Sequence, residues 1–155
     1  MIETYYDTLP TKRMAAGALF LNEEGHLLIV KPTYKDYWLI PGGTIEEDES
    51  PRAACIREVK EEINLDISLE RLLCVDYMSK ESAKSECIQF AFYGGMLTLK
   101  QIQDIHLPAE ELSTYQFLPI EEALSMLSPG LVKRIPICLR MLKENTVAYL
   151  ENGCL

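Results

Sequence analysis

The stretch from Pro41 to Asn64 limits this chain more than any other. Pro41-Gly42-Gly43 is strong turn punctuation, and its glycines remove side chains where backbone must turn sharply or approach a ligand. Ser50 then offers an N-cap, and Pro51 suits the first helical position, where its missing N–H costs nothing. The spacing predicts a helix from Ser50 to Ile63, closed by Asn64 as a left-handed cap. At ~100° per residue, Ala53, Ile56, Val59 and Ile63 fall on one face. Glu58, Glu61 and Glu62 fall together on roughly the opposite one, and Lys60 lands at the edge of the apolar stripe, where it snorkels.

Seven carboxylates (Glu46, Glu47, Asp48, Glu49, Glu58, Glu61 and Glu62) crowd this turn and helix. Glu58 and Glu62 are i,i+4, a spacing at which like charges oppose helix formation. Taken alone, such a cluster usually means a solvated face. It also suits a hard cation, because Mg²⁺ is held by a few carboxylates together with substrate phosphates and water. The run Glu46 to Ser50 lacks the alternating Asp/Asn ligands and central Gly of an EF-hand. Arg57 is placed to reach Glu49 as an ion pair, tying the loop to the helix.

Charge narrows the partners. The 155 residues carry 15 Lys and Arg against 24 Asp and Glu, a formal net charge of −9. That balance argues against duplex nucleic acid and against anionic membrane, both of which need clustered Lys and Arg. The length is that of one domain, and 48% hydrophobic residues supply a core. The five cysteines are scattered, with no CxxC pair, which points to reduced thiols in a cytoplasmic protein. Only Lys12-Arg13 with Ala15 to Leu21 resembles a signal peptide, and Asn22-Glu23-Glu24 follows in place of a cleavage site. No apolar run approaches the ~20 residues of a membrane span.

Along the rest of the chain, residues 14–21 and 26–31 read as two strands about a turn at Gly25. Residues 67–78 and 86–99 read as further strands, and Tyr115 to Leu118 as a short one. Ile120 to Leu127 and Gly130 to Glu144 look helical, with a kink or break expected at Pro136. The mixture predicts α/β or α+β layers around one core. Tyr34, Tyr37 and Trp38 suit either base stacking or core cover, whereas Tyr5 and Tyr6 read as surface residues. His26 and His106 lack neighbours at ligand spacing. No P-loop motif occurs. Cys55 sits beside the carboxylates, which disfavour its thiolate.

Gly43, five residues, Glu49, seven residues, then Arg57-Glu58-Val59-Lys60-Glu61-Glu62-Ile63-Asn64-Leu65 resembles the signature of the Nudix hydrolases. That family's pattern is Gly-x5-Glu-x7-Arg-Glu-U-x-Glu-Glu-x-Gly-U, with U a bulky aliphatic. Asn64 stands where the family has Gly, a small cost at a left-handed cap. Trp38 to Gly43 and Glu46 also resemble the approach to the box. The resemblance implies a single domain over 1–155, with the box at 43–65. It implies an α/β/α sandwich with a mixed β-sheet between helices.

The implied reaction is hydrolysis of a nucleoside diphosphate linked to another group. Glu58, Glu61 and Glu62, with the Gly43 carbonyl, would hold Mg²⁺, with Mn²⁺ as a substitute. One carboxylate would act as base; Glu58 is the choice, with Glu110 and Glu111 as rivals. Arg57 and Glu49 would orient the ligands. The expected partner is a small nucleotide: a triphosphate, a nucleotide sugar such as ADP-ribose, or a dinucleoside polyphosphate. No Pro stands at the place after the box that often accompanies ADP-ribose preference. A non-catalytic nucleotide sensor is the alternative, weakened by the intact carboxylates, and an RNA-decapping enzyme suffers from the acidic balance. A homodimer is left open.

Overall fold

The computed structural model describes residues 2–69 and 71–155; Met1 and Glu70 lie outside the described residues. After a 3-10 turn at Tyr5–Thr8, the order is β1 (Arg13–Leu21), β2 (Leu27–Pro32), β3 (Gly42–Thr44) and α1 (Pro51–Ile63). There follow β4 (Arg71–Met78), β5 (Cys87–Met96), α2 (Leu99–Gln103) and β6 (Leu112–Leu118). The chain ends with α3 (Ile120–Met126), α4 (Pro129–Glu144) and β7 (Ala148–Glu151).

The strands form one mixed sheet in the order β6-β2-β1-β5-β4-β7, with β3 also on β1. β1 runs parallel to β5, as Met14 beside Ile88 shows, and antiparallel to β2 and β3. It changes partner along its length. Ala15, Ala16 and Gly17 pair with β3, whereas Leu21 pairs with Leu27 of β2. The sheet therefore forks beside Gly17, and β3 leads from the fork to α1.

Both faces are covered, which is why β1 and β2 read as nearly unbroken apolar runs. Alternate residues serve opposite cores. Ala16, Ala18 and Phe20, with Leu28 and Val30, pack under α1. Leu19, Leu27 and Ile29 face α3 and α4, where Ala123, Leu131 and Ile135 meet them. This is the expected α/β/α layering of a mixed sheet between helices. The stretch resembling a signal peptide is the central strand β1. Among the described residues no helix is long and apolar enough to cross a membrane.

Several expected boundaries move. The strand expected over 67–78 begins at Arg71; residues 67–69 take no ladder partner and bury Leu69 instead. The strand expected over 86–99 ends at Met96, because Thr98 and Gln101 form a capping box that opens α2. The Thr98 hydroxyl accepts from Gln101 N–H at 3.2 Å and the Gln101 side chain accepts from Thr98 N–H at 2.9 Å.

Helix α4 does not break at Pro136. Pro136 and Val132 both lie on its exposed face, so water can serve the Val132 carbonyl that loses its helical donor. The buried stripe of Leu131, Ile135, Cys138 and Met141 carries the helix past the defect. Cys138 meets Cys74 in this core with sulfurs 3.4 Å apart, and all five cysteines are free thiols.

Phe20 is fully buried between β1 and α1. Phe20→Ala should cost about 3–5 kcal/mol by urea denaturation. A loss below about 1 kcal/mol would contradict this packing.

Candidate active site

α1 is set by its ends. The Ser50 hydroxyl accepts from Ala53 N–H at 3.1 Å, and Pro51 occupies the first turn. Asn64 takes the left-handed conformation at φ 61° and ψ 29°, and its N–H donates to the Lys60 carbonyl at 3.0 Å. Asn supports the cap that the family pattern assigns to Gly, because its short side chain tolerates that region.

The faces of α1 are not arranged as expected. Ala53 is exposed, and the inward stripe is Ala54, Cys55, Val59 and Ile63, with Glu62 beside them. Glu62 is only 8% exposed. The carboxylate arc adjoins the apolar arc, because α1 packs on β1 with one edge and on β3 with the next. Glu58 is half-buried, Glu61 has 55% of its side chain exposed, and Lys60 is exposed and paired with Asp66 at 3.1 Å.

β3 meets this edge with bare backbone. A Cβ on Gly43 would lie 2.4 Å from the Glu58 carboxyl carbon. A Cβ on Gly42 would lie 2.3 Å from the Ala16 carbonyl oxygen, and Gly42 has a φ of +153°. Gly42 has no room for a side chain against backbone, and a side chain at Gly43 would push the Glu58 carboxylate from its place. The Gly42 N–H donates to Glu62 Oε1 at 3.1 Å.

Arg57 gathers the acids. Its Nε donates to Glu49 Oε2 at 2.7 Å and its Nη2 to Glu49 Oε1 at 2.9 Å, a two-pronged pair. Nη2 also donates to the Thr44 carbonyl at 3.1 Å, joining β3 to the helix. Nη1 bridges Glu58 Oε1 at 3.0 Å and Glu61 Oε2 at 3.2 Å. The expected tie between loop and helix is thus present. As placed, no three His, Cys, Asp or Glu side chains among the described residues converge closely enough to hold a metal ion. Arg57 stands between Glu58 and Glu61, and Glu62 is turned to Gly42.

Electrostatics separates the acids. Hydrogen bonds from Arg57, then from Glu46 N–H, hold Glu49 down at about 2. Burial pushes Glu62 up to about 8, aided by the charges of Glu58, Glu111 and Glu61 and opposed by the Gly42 N–H. Burial also raises Glu58, against the pull of Arg57. Cys55 is pushed up to about 12 by burial and by Glu62 and Glu58, so it stays a thiol. Of the two loop acids, the Glu111 charge reaches both Glu58 and Glu62, while Glu110 is held by its carbonyl to Thr33.

A divalent cation suits this donor set. The donors are all oxygen, two of them are desolvated, and Glu58 and Glu61 already flank one cationic group.

On the far side of β3 lies a cleft of about 440 Å³ that sequence reasoning did not locate. Gly42 and Gly43 line it, as do Lys35, Gln89 and Arg134. The signal for Arg134 was available: it is a charged residue within the inward stripe Leu131, Ile135 and Cys138. Tyr37 stands at the cleft, while Tyr34 is exposed and Trp38 packs on the α3–α4 core. Tyr5 and Tyr6 are surface residues, as expected.

A carboxyl raised from 4.5 to about 8 binds its proton more tightly in the folded state. Its charge therefore costs stability as pH rises from the unfolded value through the folded one. In EDTA, Glu62→Gln, which still accepts from Gly42, should raise stability at pH 9 by about 1–2 kcal/mol, or about 2–8 °C in Tm. The gain should vanish near pH 4. An equal or lower Tm for the variant at pH 9 would contradict the burial of this charge.

Comparison with known proteins agrees with this architecture. A model of the NUDIX domain matches residues 11–137. Nudix hydrolase 5 of Arabidopsis thaliana is 31% identical over 123 residues, 74% of this chain and 40% of that protein. The RNA pyrophosphohydrolase of Hydrogenovibrio crunogenus is 41% identical over 61 residues, 39% of this chain and 37% of that protein. The matches thus span about two fifths of these relatives' lengths. The crystal structure of a MutT protein from Methanosarcina mazei Go1 shares the fold, with a TM-score of 0.69 and 23% identity over 89% of this chain and 99% of that one. The glycine-backed carboxylate helix, the forked sheet and the domain match place this chain in the Nudix family.

Proposed function

We propose that this chain is a Mg²⁺-dependent pyrophosphohydrolase that cleaves a nucleoside diphosphate linked to another group. The observation that carries the reading is Glu62, a buried carboxylate held against the Gly42 N–H beside Glu58 and Glu61. The names of the relatives, a Nudix hydrolase and an RNA pyrophosphohydrolase, point the same way.

In this reading Glu58, Glu61 and Glu62, with the Gly43 carbonyl, hold Mg²⁺, or Mn²⁺ in its place. The chemistry that a bound cation supplies is neutralisation of phosphate charge and a lowered pKa for water. Glu58 takes the proton of the attacking water, a role suited to a carboxylate whose basicity burial has raised. Glu111 tunes Glu58 and Glu62 through its charge. Glu49 holds Arg57, and Arg57 holds β3 and the acids in place. Water attacks one phosphorus, and the bridging oxygen leaves with the other phosphate.

The whole of 1–155 acts as one Nudix domain in this reading. β7 lies beyond the matched range, yet it completes the sheet beside β4. The residues used come from one chain, so a monomer and a homodimer are served alike. Five free thiols support a reducing, cytoplasmic setting.

The test is phosphate release, with a coupled phosphatase where needed. The panel is a nucleoside triphosphate, ADP-ribose and a dinucleoside polyphosphate, each with Mg²⁺ and with EDTA. At least one should turn over with Mg²⁺ and none with EDTA. Glu58→Gln should fold, by circular dichroism, and lose about 10²-fold or more in kcat. Near-native turnover by that variant would overturn the role of Glu58, and an inert panel would overturn the enzyme.

A further inference from the structure

The cleft behind β3 differs in charge from the protein around it. The chain carries a net charge of −9, yet Lys35 and Arg134 line this cleft and no Asp or Glu does. Its remaining polar lining comes from Tyr37, Ser82, Gln89, Ser128 and the Gly42–Thr44 segment.

Arg134 is 7% exposed and locked from behind. Its Nε donates to Asp76 Oδ2 at 2.9 Å, and Asp76 Oδ1 accepts the Gly153 N–H at 3.0 Å. Asp76 is fully buried, so it fixes the guanidinium and does not face the cleft. The terminal nitrogens are poorly served. Nη2 meets only Met78 Sδ at 3.5 Å, a weak acceptor, and Nη1 has no partner among the described residues. Pinning a guanidinium through Nε leaves its two terminal nitrogens as a fork for an oxyanion.

Two further features meet it there. The N-terminus of α4 opens onto the same cleft through Ser128, Pro129 and Gly130. Ser128 makes no side-chain cap, and the Gly130 and Leu131 N–H groups have no acceptor among the described residues. A Cβ on Gly130 would lie 3.6 Å from Arg134 Nη2, so this first turn and the guanidinium are neighbours. Uncapped N–H groups and the helix dipole favour negative charge at such a point. At the rim, Lys35 Nζ lies 5.5 Å from the Tyr37 ring centroid and 5.6 Å from that of Tyr34.

We propose that this cleft receives the part of the substrate beyond the scissile bond. That part carries an anionic oxygen group of its own, read by Arg134, Lys35 and the first turn of α4. The assignment rests on the pyrophosphohydrolase reading for its place in catalysis. It selects, among pyrophosphate-linked nucleotides, those whose distal moiety bears an extra phosphate or carboxylate. Arg134 and Lys35 are specificity residues here. They lie across β3 from the acids and take no part in the bond change.

Two matched substrate pairs separate the sources of the anion. UDP-glucuronate and UDP-glucose differ by a carboxylate on the distal sugar, and ADP-ribose 1″-phosphate and ADP-ribose by a phosphate on the distal ribose. Calorimetric binding in EDTA, and kcat/KM with Mg²⁺, are measured for each. The protein should favour the anionic member of at least one pair by about tenfold or more in Kd, and that pair identifies the group. Lys35→Met, and Asp76→Asn with Arg134→Gln, should each reduce the preference to within about threefold, the loss appearing in KM. The double change avoids an orphaned buried Asp76. Should it fail to fold, Lys35→Met alone decides. Equal binding within both pairs, no binding of any member, or a preference that survives in the folded variants would overturn the proposal. Anion-selective binding without turnover would sink the pyrophosphohydrolase reading alone, and turnover without selectivity would sink this one alone.

Discussion

A carboxylate turned inward against bare backbone holds the site together. Glu62 Oε1 accepts the Gly42 N–H, and Glu58 lies where a Cβ on Gly43 would sit. Gly42 is needed because β3 is pressed against the Ala16 carbonyl, and Gly43 leaves the Glu58 carboxylate room to lie against the strand. Arg57 then fixes the distance between strand and helix by binding Thr44, Glu49, Glu58 and Glu61 at once. Burial makes the charge on Glu62 costly, and a structure shaped only for stability would not place it there.

The fork in the sheet puts two opposite electrostatic environments back to back. On the α1 side of β3 stand the acids, suited to a cation. On the α4 side lie Arg134, Lys35 and an uncapped helix start, suited to an anion. Only three residues of β3 separate them. A polyphosphate crossing this strand would meet positive charge at both ends, from a cation on one side and from the chain itself on the other.

The box was legible because its spacing is chemical. Helical periodicity brings Glu58, Glu61 and Glu62 together, and Ser50, Pro51 and Asn64 mark the helix ends in their residue types. Which way the helix faces was not legible. Periodicity put Ala53 inside and Glu62 outside, but the strand that turns Glu62 inward lies 20 residues earlier and pairs with β1. Pro136 misled for a related reason. Its cost depends on whether the Val132 carbonyl meets water, and only the packing of α4 decides that. The Thr98 and Gln101 capping box was visible as a spacing but was read through as strand. The cleft is long-range in origin, joining residues from the β2–β3 loop, β5 and α4, which no local pattern unites.

The proposed activity requires that the α1 acids and the Gly43 carbonyl form a seat for a divalent cation. A crystal soaked in Mn²⁺ and measured at the manganese absorption edge tests it most directly. One or more anomalous peaks are expected, bounded by oxygens of Glu58, Glu61, Glu62 and Gly43, with Glu58 and Glu61 drawn away from Arg57. No peak at that place, or ions held only by Glu46, Glu47 and Asp48 in the exposed loop, would contradict it.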